Sequence, residues 1–190
     1  MKASSVSIRT YVGSKVFFLD ALKVFVGSLF LAAISLPKIP FYPTPMTLQT
    51  LGVFILGFVL GPRQGALAVF AYLLEASSGL PVLSGGHSNP LWMISPNGGF
   101  LLSFMPAAFL VGWIMDKMHK KNFVTAFMAV FASQLCIYTT GVCWLACFFG
   151  FSKAFMVGVV PFIGAALIKA LTASALYPSY LQKWRNKLGA

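Results

Sequence analysis

A lysine enclosed in an apolar run is the residue in this chain whose placement most demands a chemical reason. Lys169 follows Ala165, Ala166, Leu167 and Ile168 and precedes Ala170 and Leu171. An ammonium in such a run is costly unless it is paired or solvated, so it reads as a cation that waits for an anionic ligand group. The competing reading, a lysine snorkelling from a lipid face, sits poorly with a separation of at least two turns from the basic cluster at Lys183, Arg185 and Lys187. Glu75, near the end of another apolar segment, has several readings. It can be the resting partner of Lys169, a pocket-wall acceptor for ligand N–H groups, an organiser of a covering loop, or an interface carboxylate facing water.

Neutral hydrogen-bonding groups gather at other segment ends. Thr47 and Gln49 follow a proline-rich connection and offer donors and acceptors without the cost of a full charge, either to a ligand or to anchor that connection, and Tyr42 can join either role. Gly85 and Gly86 allow close backbone approach or positive φ, and Ser84, His87, Ser88 and Asn89 stand beside them. Asn97 precedes an apolar segment, where it can cap a helix or turn its polar atoms toward a cavity. Ser28 and Ala32, four apart, share one helix face and leave room for close contact with another helix.

These residues exclude more than they name. With Asp20, Glu75 and Asp116 as the only acidic residues and His87 and His119 as the only histidines, there is no nucleophile–base pair and no metal constellation, so an enzyme is not expected. Cys136, Cys143 and Cys147 lie in one apolar stretch without partner ligands and read as packing residues. No phosphate-binding loop is present, so the chain cannot itself draw on nucleotide hydrolysis. A channel would need a repeated polar lining, which is missing. What remains is a membrane receptor for a mostly apolar solute with a charged end, or a proton-coupled secondary carrier, using Glu75 and Lys169, for a small carboxylate-bearing vitamin.

The elements that must position these groups are apolar helices. Of 190 residues, 58% are hydrophobic and 9% charged, and mean hydropathy is +0.85. A soluble domain carries roughly a quarter charged residues. The chain is therefore predicted to be an all-α integral membrane protein, a single six-helix domain with spans near 16–36, 46–60, 65–78, 98–115, 122–149 and 154–177. The second and third spans are short and joined by Gly61-Pro62-Arg63-Gln64-Gly65, which predicts a helical hairpin, with one kinked helix as the alternative. Between Ser77 and Phe100, three prolines and five glycines break a stretch that still holds Leu80, Val82, Leu83, Leu91, Trp92, Met93 and Ile94. A solvated linker has no use for that apolar content, so this interval reads as a loop folding back over the bundle. The net charge of +11 is a topology signal rather than a nucleic-acid footprint. Lys2, Arg9, Lys15, Arg63, Lys117, Lys120, Lys121, Lys183, Arg185 and Lys187 fall on one face, against Lys38 and Lys153 on the other. That bias predicts both termini in the cytoplasm and the long loop outside. No removable signal peptide is expected.

The runs IPFYPTPMTLQTLGVFILGFVLGPRQG, GLPVLSGG, SPNGGFLLSF and PFIGAALIKA together resemble the BioY family of biotin transporters, over nearly the whole chain from about Phe30 to Leu176. The resemblance implies the substrate-capturing S component of an energy-coupling factor (ECF) transporter in the cell (inner) membrane, binding biotin at its outer side. Implied partners are a transmembrane coupling protein of the EcfT or BioN type and two cytosolic ABC-type ATPase subunits, with membrane lipid around them and no nucleic acid. The resemblance further implies that no cofactor is bound by this chain and that ATP is used by the partner ATPases. Lys169 falls on the family's sixth-helix lysine and would meet the biotin carboxylate. Gln49, Tyr72, Asn97 and the Gly85-Gly86 loop are the candidates for the fused rings, and Glu75 for a compensating carboxylate. Ser28 and Ala32 resemble the small-residue face that touches the coupling protein. Two positions depart from the family pattern. Ala165 and Ala166 stand where Gly-Asp is usual, and Asn97-Gly98-Gly99-Phe100 follows Pro96 where Thr-Gly-Gly-Tyr is usual.

Overall fold

The structure, a computed structural model, describes residues 3–40, 42 and 44–189, with side chains from residue 17 onward apart from residue 179. Of the basic residues in the topology count, Lys2 and the side chains of Arg9 and Lys15 lie outside what is described.

Helix α1 spans Ala3–Ser35 and stops where Pro37 and Pro40 deny the chain further backbone donors. The proline-rich connection is closed by a short antiparallel ladder, β1 (Lys38–Ile39) against β2 (Met46–Thr47), in which Lys38 faces Thr47 and Ile39 faces Met46.

Helix α2, Gln49–Ser77, breaks at Gly61 into two helical arms, because the φ of 77° and ψ of −177° there fit glycine alone. Its two arms, 49–60 and 62–77, fold back on each other. The Gln49 amide donates to the Tyr72 hydroxyl at 2.6 Å, whereas a straight helix would hold those residues about 35 Å apart. The arms touch backbone to backbone, since a methyl group at Gly65 would sit 3.2 Å from the Cα of Gly57. The predicted hairpin is thus present, and the predicted five-residue linker shrinks to one residue. Pro62 opens the second arm, in the first turn, where its missing N–H costs nothing.

Helix α3 spans Gly98–Lys117 and α4 spans Phe123–Phe149, the latter started by a reciprocal capping box between Asn122 and Thr125. The last predicted span is not one helix. It divides into α5 (Phe151–Gly158), a 3-10 turn (Val160–Phe162) and α6 (Ile163–Leu176), because Pro161 can neither donate to the preceding turn nor fit against it. A π-turn at Tyr177–Leu181 leads into α7 (Gln182–Leu188).

The core lies where the arms of α2 meet α3 and α1. Phe54, Phe58, Ala68, Tyr72, Ala107, Ala108, Val111 and Met115 are fully buried there. Glycines set the helix separations: a methyl at Gly57 would lie 2.5 Å from the Ala108 carbonyl oxygen, and one at Gly27 would lie 2.8 Å from the Ala68 Cβ. The outward faces carry Phe25, Leu29, Phe131, Leu135, Leu167 and Ile168, all exposed and all suited to lipid. Among the described residues, five helical stretches are long and apolar enough to cross a membrane, with α5 and α6 counted as one. Because one of the five, α2, doubles back, six segments run across the bundle. This is an all-α, multi-pass membrane protein.

Candidate ligand pocket

The proline-rich ladder, the start of α2, the 78–97 loop and the start of α3 converge at one end of the bundle, and α4 and α6 close the side. They enclose a cavity of about 260 Å³. Each element contributes for a local reason. Lys38 comes from β1 and Thr47 from β2, Gln49 and Thr50 from the first turn of α2, and Asn97 and Phe100 from the turn that opens α3. On α6, Ala166 and Lys169 are three apart and so share a face, and Phe162 lies one further turn back.

Lys169 points into this cavity. Its ammonium donates to the Thr47 carbonyl and, at 3.1 Å, to the Thr50 hydroxyl. Both partners are neutral. The ion pairs among the described residues are Lys23–Asp20 and Arg185–Asp116, and the cavity lining contains no Asp or Glu. A cation held by neutral acceptors in a low-dielectric site keeps its charge available to an incoming anion.

Glu75 is not the resting partner of Lys169. Its carboxylate accepts from Ser28 at 2.6 Å, between α1 and the second arm of α2, and does not line the cavity. The same contact turns the predicted partner face inward. Ser28 is 0% exposed and Ala32 packs against the core, so this register of α1 holds the bundle together and leaves its outward face to Phe25, Val26 and Leu29. An almost wholly apolar helix gives no amphipathic signal from which to read its rotation.

Tyr72 stands one bond behind the cavity wall. Fully buried, it accepts from Gln49 and donates to the Val82 carbonyl at 2.9 Å, and Ser35 donates to the same carbonyl at 2.7 Å. Gln49 is thereby fixed at the wall and the loop is tied to two helices. Gly85 and Gly86, with φ of 71° and 73°, likewise position rather than line. Gly85 donates its N–H to the Ser35 carbonyl at 2.9 Å, and a methyl there would collide with the Lys38 side chain. Lys38 reaches His87 across the mouth. Tyr42, strongly exposed, is not part of the lining.

Asn97 occupies the N-cap position of α3 but makes no side-chain cap bond. Its Oδ1 is buried without a partner, as are Gln134 Oε1, the Tyr138 hydroxyl, Ser84 Oγ and Thr44 Oγ1, and all five residues line the cavity. These atoms are donors and acceptors that a polar ligand could engage within one cavity. The Phe100 ring is set in a slot made by two glycines: a methyl group at Gly141 would collide with it, and one at Gly158 would lie 3.2 Å away. Gln134, Tyr138, Lys38 and Thr50 also line the cavity, and the sequence did not single them out as ligand contacts. The available signal was a glutamine within an apolar span followed one turn later by a tyrosine. Among the described residues, no cluster of His, Cys, Asp and Glu could hold a metal ion.

The BioY family model matches residues 7–186. The chain belongs to the BioY family. It is 38% identical over 131 residues to the probable biotin transporter BioY of Pyrococcus horikoshii, covering 69% of this chain and 76% of that protein. It is also 38% identical over 145 residues to the biotin transporter BioY of Rhizobium etli, with 72% and 77% covered. In three dimensions it is similar to the S component for biotin from an ECF-type ABC transporter, with a TM-score of 0.77 and 25% identity over 92% of this chain and 93% of that one. In a BioY-family chain the position of Ala166 is informative, because it places a methyl group on the cavity wall one turn before Lys169. No carboxylate lines this wall, and Glu75, bonded to Ser28, lies off the cavity.

Proposed function

We propose that this chain is a biotin-capturing S component of an ECF-type transporter. The observation that carries the reading is the uncompensated Lys169 ammonium in a cavity whose other polar atoms are neutral and partly unsatisfied. Biotin offers the complement: a carboxylate at the end of an apolar chain and a bicyclic head with N–H donors and a carbonyl. Lys169 takes the carboxylate, Gln49 and Asn97 face the head, and Trp92, Phe100 and Phe104 cover its apolar surfaces. Tyr72, Gly85 and Gly86 act through Gln49 and the loop. The names of the relatives support the choice of solute.

The cavity end faces outside and both termini face the cytoplasm, in keeping with the basic residues gathered at the other end. The 78–97 loop admits biotin and closes on it. The loaded subunit then reorients against a coupling protein of the EcfT or BioN type, and two ABC-type ATPases supply the energy. Equilibrium binding to the purified protein tests the capture step, comparing biotin with lipoate, thiamine and riboflavin. Biotin should bind at least a hundredfold more tightly than the others. Equal affinity for biotin and lipoate, which share a carboxylate chain, would sink the assignment of the head.

A further inference from the structure

The proposed biotin site has a recognised end, the carboxylate on Lys169, and an end for which the sequence supplied no charged group. The α4 wall fills this gap. Gln134 and Tyr138 lie one turn apart on the cavity side of α4, with Ile137 between them, and all three line the cavity. Gln134 is 8% exposed, which makes it one of the few polar side chains buried within the bundle. Its Oε1 and the Tyr138 hydroxyl have no hydrogen-bond partner. Burying an amide oxygen unpaired is unfavourable, so a helix facing only lipid and packing would be more stable with leucine there.

The chemistry of the rung is specific. The Gln134 oxygen accepts, and the Tyr138 hydroxyl can donate as well as accept. The lining has no carboxylate to compete for a ligand N–H, since position 166 is alanine. We propose that Gln134 and Tyr138 are the specificity-determining pair that reads the neutral amide-like head of the ligand, Gln134 accepting from a ureido N–H and Tyr138 donating to the ureido carbonyl. The pair thus selects a cyclic urea or lactam, and it does so without a charge that would attract protonated or cationic heads. Asn97 Oδ1, also unpartnered, is placed to accept from a second N–H.

The proposal rests on biotin capture, and its test separates the two. The full-length protein is purified in detergent and titrated with biotin and with the two biotin derivatives methylated on one or the other ureido nitrogen. Gln134→Leu should weaken biotin on the order of tenfold. It should leave unchanged the affinity for the derivative that lacks the N–H facing Gln134, so the preference of the wild type for biotin over that derivative collapses. Tyr138→Phe should weaken all three ureido ligands several-fold. The thermal midpoint of the ligand-free Gln134→Leu protein should be equal to or above wild type, because an unpaired acceptor has been removed. Wild-type protein that binds no biotin overturns the function and this pair together. Wild-type protein that binds biotin, with Gln134→Leu affinity within twofold or with equal losses for biotin and both derivatives, overturns the pair alone. A fall in the ligand-free midpoint combined with equal losses assigns Gln134 to packing and likewise overturns the pair.

Discussion

The two ends of the bundle each hold a cation, half-buried at one and buried at the other, and they treat it in opposite ways. At the cavity end, Lys169 is met by a backbone carbonyl and a threonine hydroxyl. At the other end, Arg185 of α7 is 3% exposed and paired with Asp116 at the end of α3, against the Gly61–Pro62 turn of α2. Nearby, Lys23 is paired with Asp20 and also donates to the Leu188 carbonyl at 2.8 Å, which ties α7 to α1. One end uses its acidic residues to hold elements together, and the lining of the other has none. The contrast is one of pairing: a paired buried charge locks a junction, whereas one met only by neutral groups keeps its charge open to an incoming anion.

This difference weighs most heavily on Lys169. Lys169→Met should weaken biotin on the order of a hundredfold, the scale of a lost charged hydrogen bond in a dry site. It should leave untouched the weaker binding of the alcohol analogue that lacks the carboxylate. Removal of this half-buried cation should also keep the ligand-free protein at least as stable as wild type, since no partner loses its counter-charge. Equal losses for biotin and the alcohol in isothermal titration would break the comparison at its functional end.

Asp116→Ala probes the other end. It removes the counter-charge of the Arg185 guanidinium at the junction of α2, α3 and α7, and the cost is moderated because the Asp116 side chain is 41% exposed. A destabilisation of about 1–2 kcal/mol is expected, read as a lower thermal midpoint, with biotin affinity within twofold of wild type. The double change Asp116→Leu with Arg185→Met should regain most of that stability. If Asp116→Ala loosened biotin as strongly as it lowered the midpoint, the two ends would be one coupled unit.

How much of this was legible in the sequence follows the same division. Lys169 could be read because a charge within an apolar run has few structural uses, and the α2 hairpin because Gly-Pro-Arg-Gln-Gly interrupts apolar residues. The break in the last span was also written, in Pro161, but span length overrode it. What could not be read depended on helix rotation. Ser28 faces Glu75, and Gln134 faces the cavity, because of how α1 and α4 pack. In helices that are apolar all round, no periodicity records that choice. The partner of Glu75 was illegible for the same reason, since it lies on a helix 47 positions away.

A milder change tests whether the loop glycines position the cavity without touching the ligand. Gly85 adopts φ of 71°, donates to Ser35, and passes so close to Lys38 that a methyl would displace its side chain. Gly85→Ala therefore carries a backbone penalty of about 1 kcal/mol and pushes Lys38 away from His87. Because neither glycine lines the cavity, the loss should appear in how long the loop stays closed: a biotin dissociation rate several-fold faster, with little change in the association rate. Gly86→Ala has more room, its nearest neighbour being Leu36 at 3.5 Å, and should show only the backbone share of the effect. Stopped-flow displacement on the two variants separates these cases. If both behaved alike, the Lys38 contact would add nothing to loop closure, and the role of this turn would reduce to its positive φ.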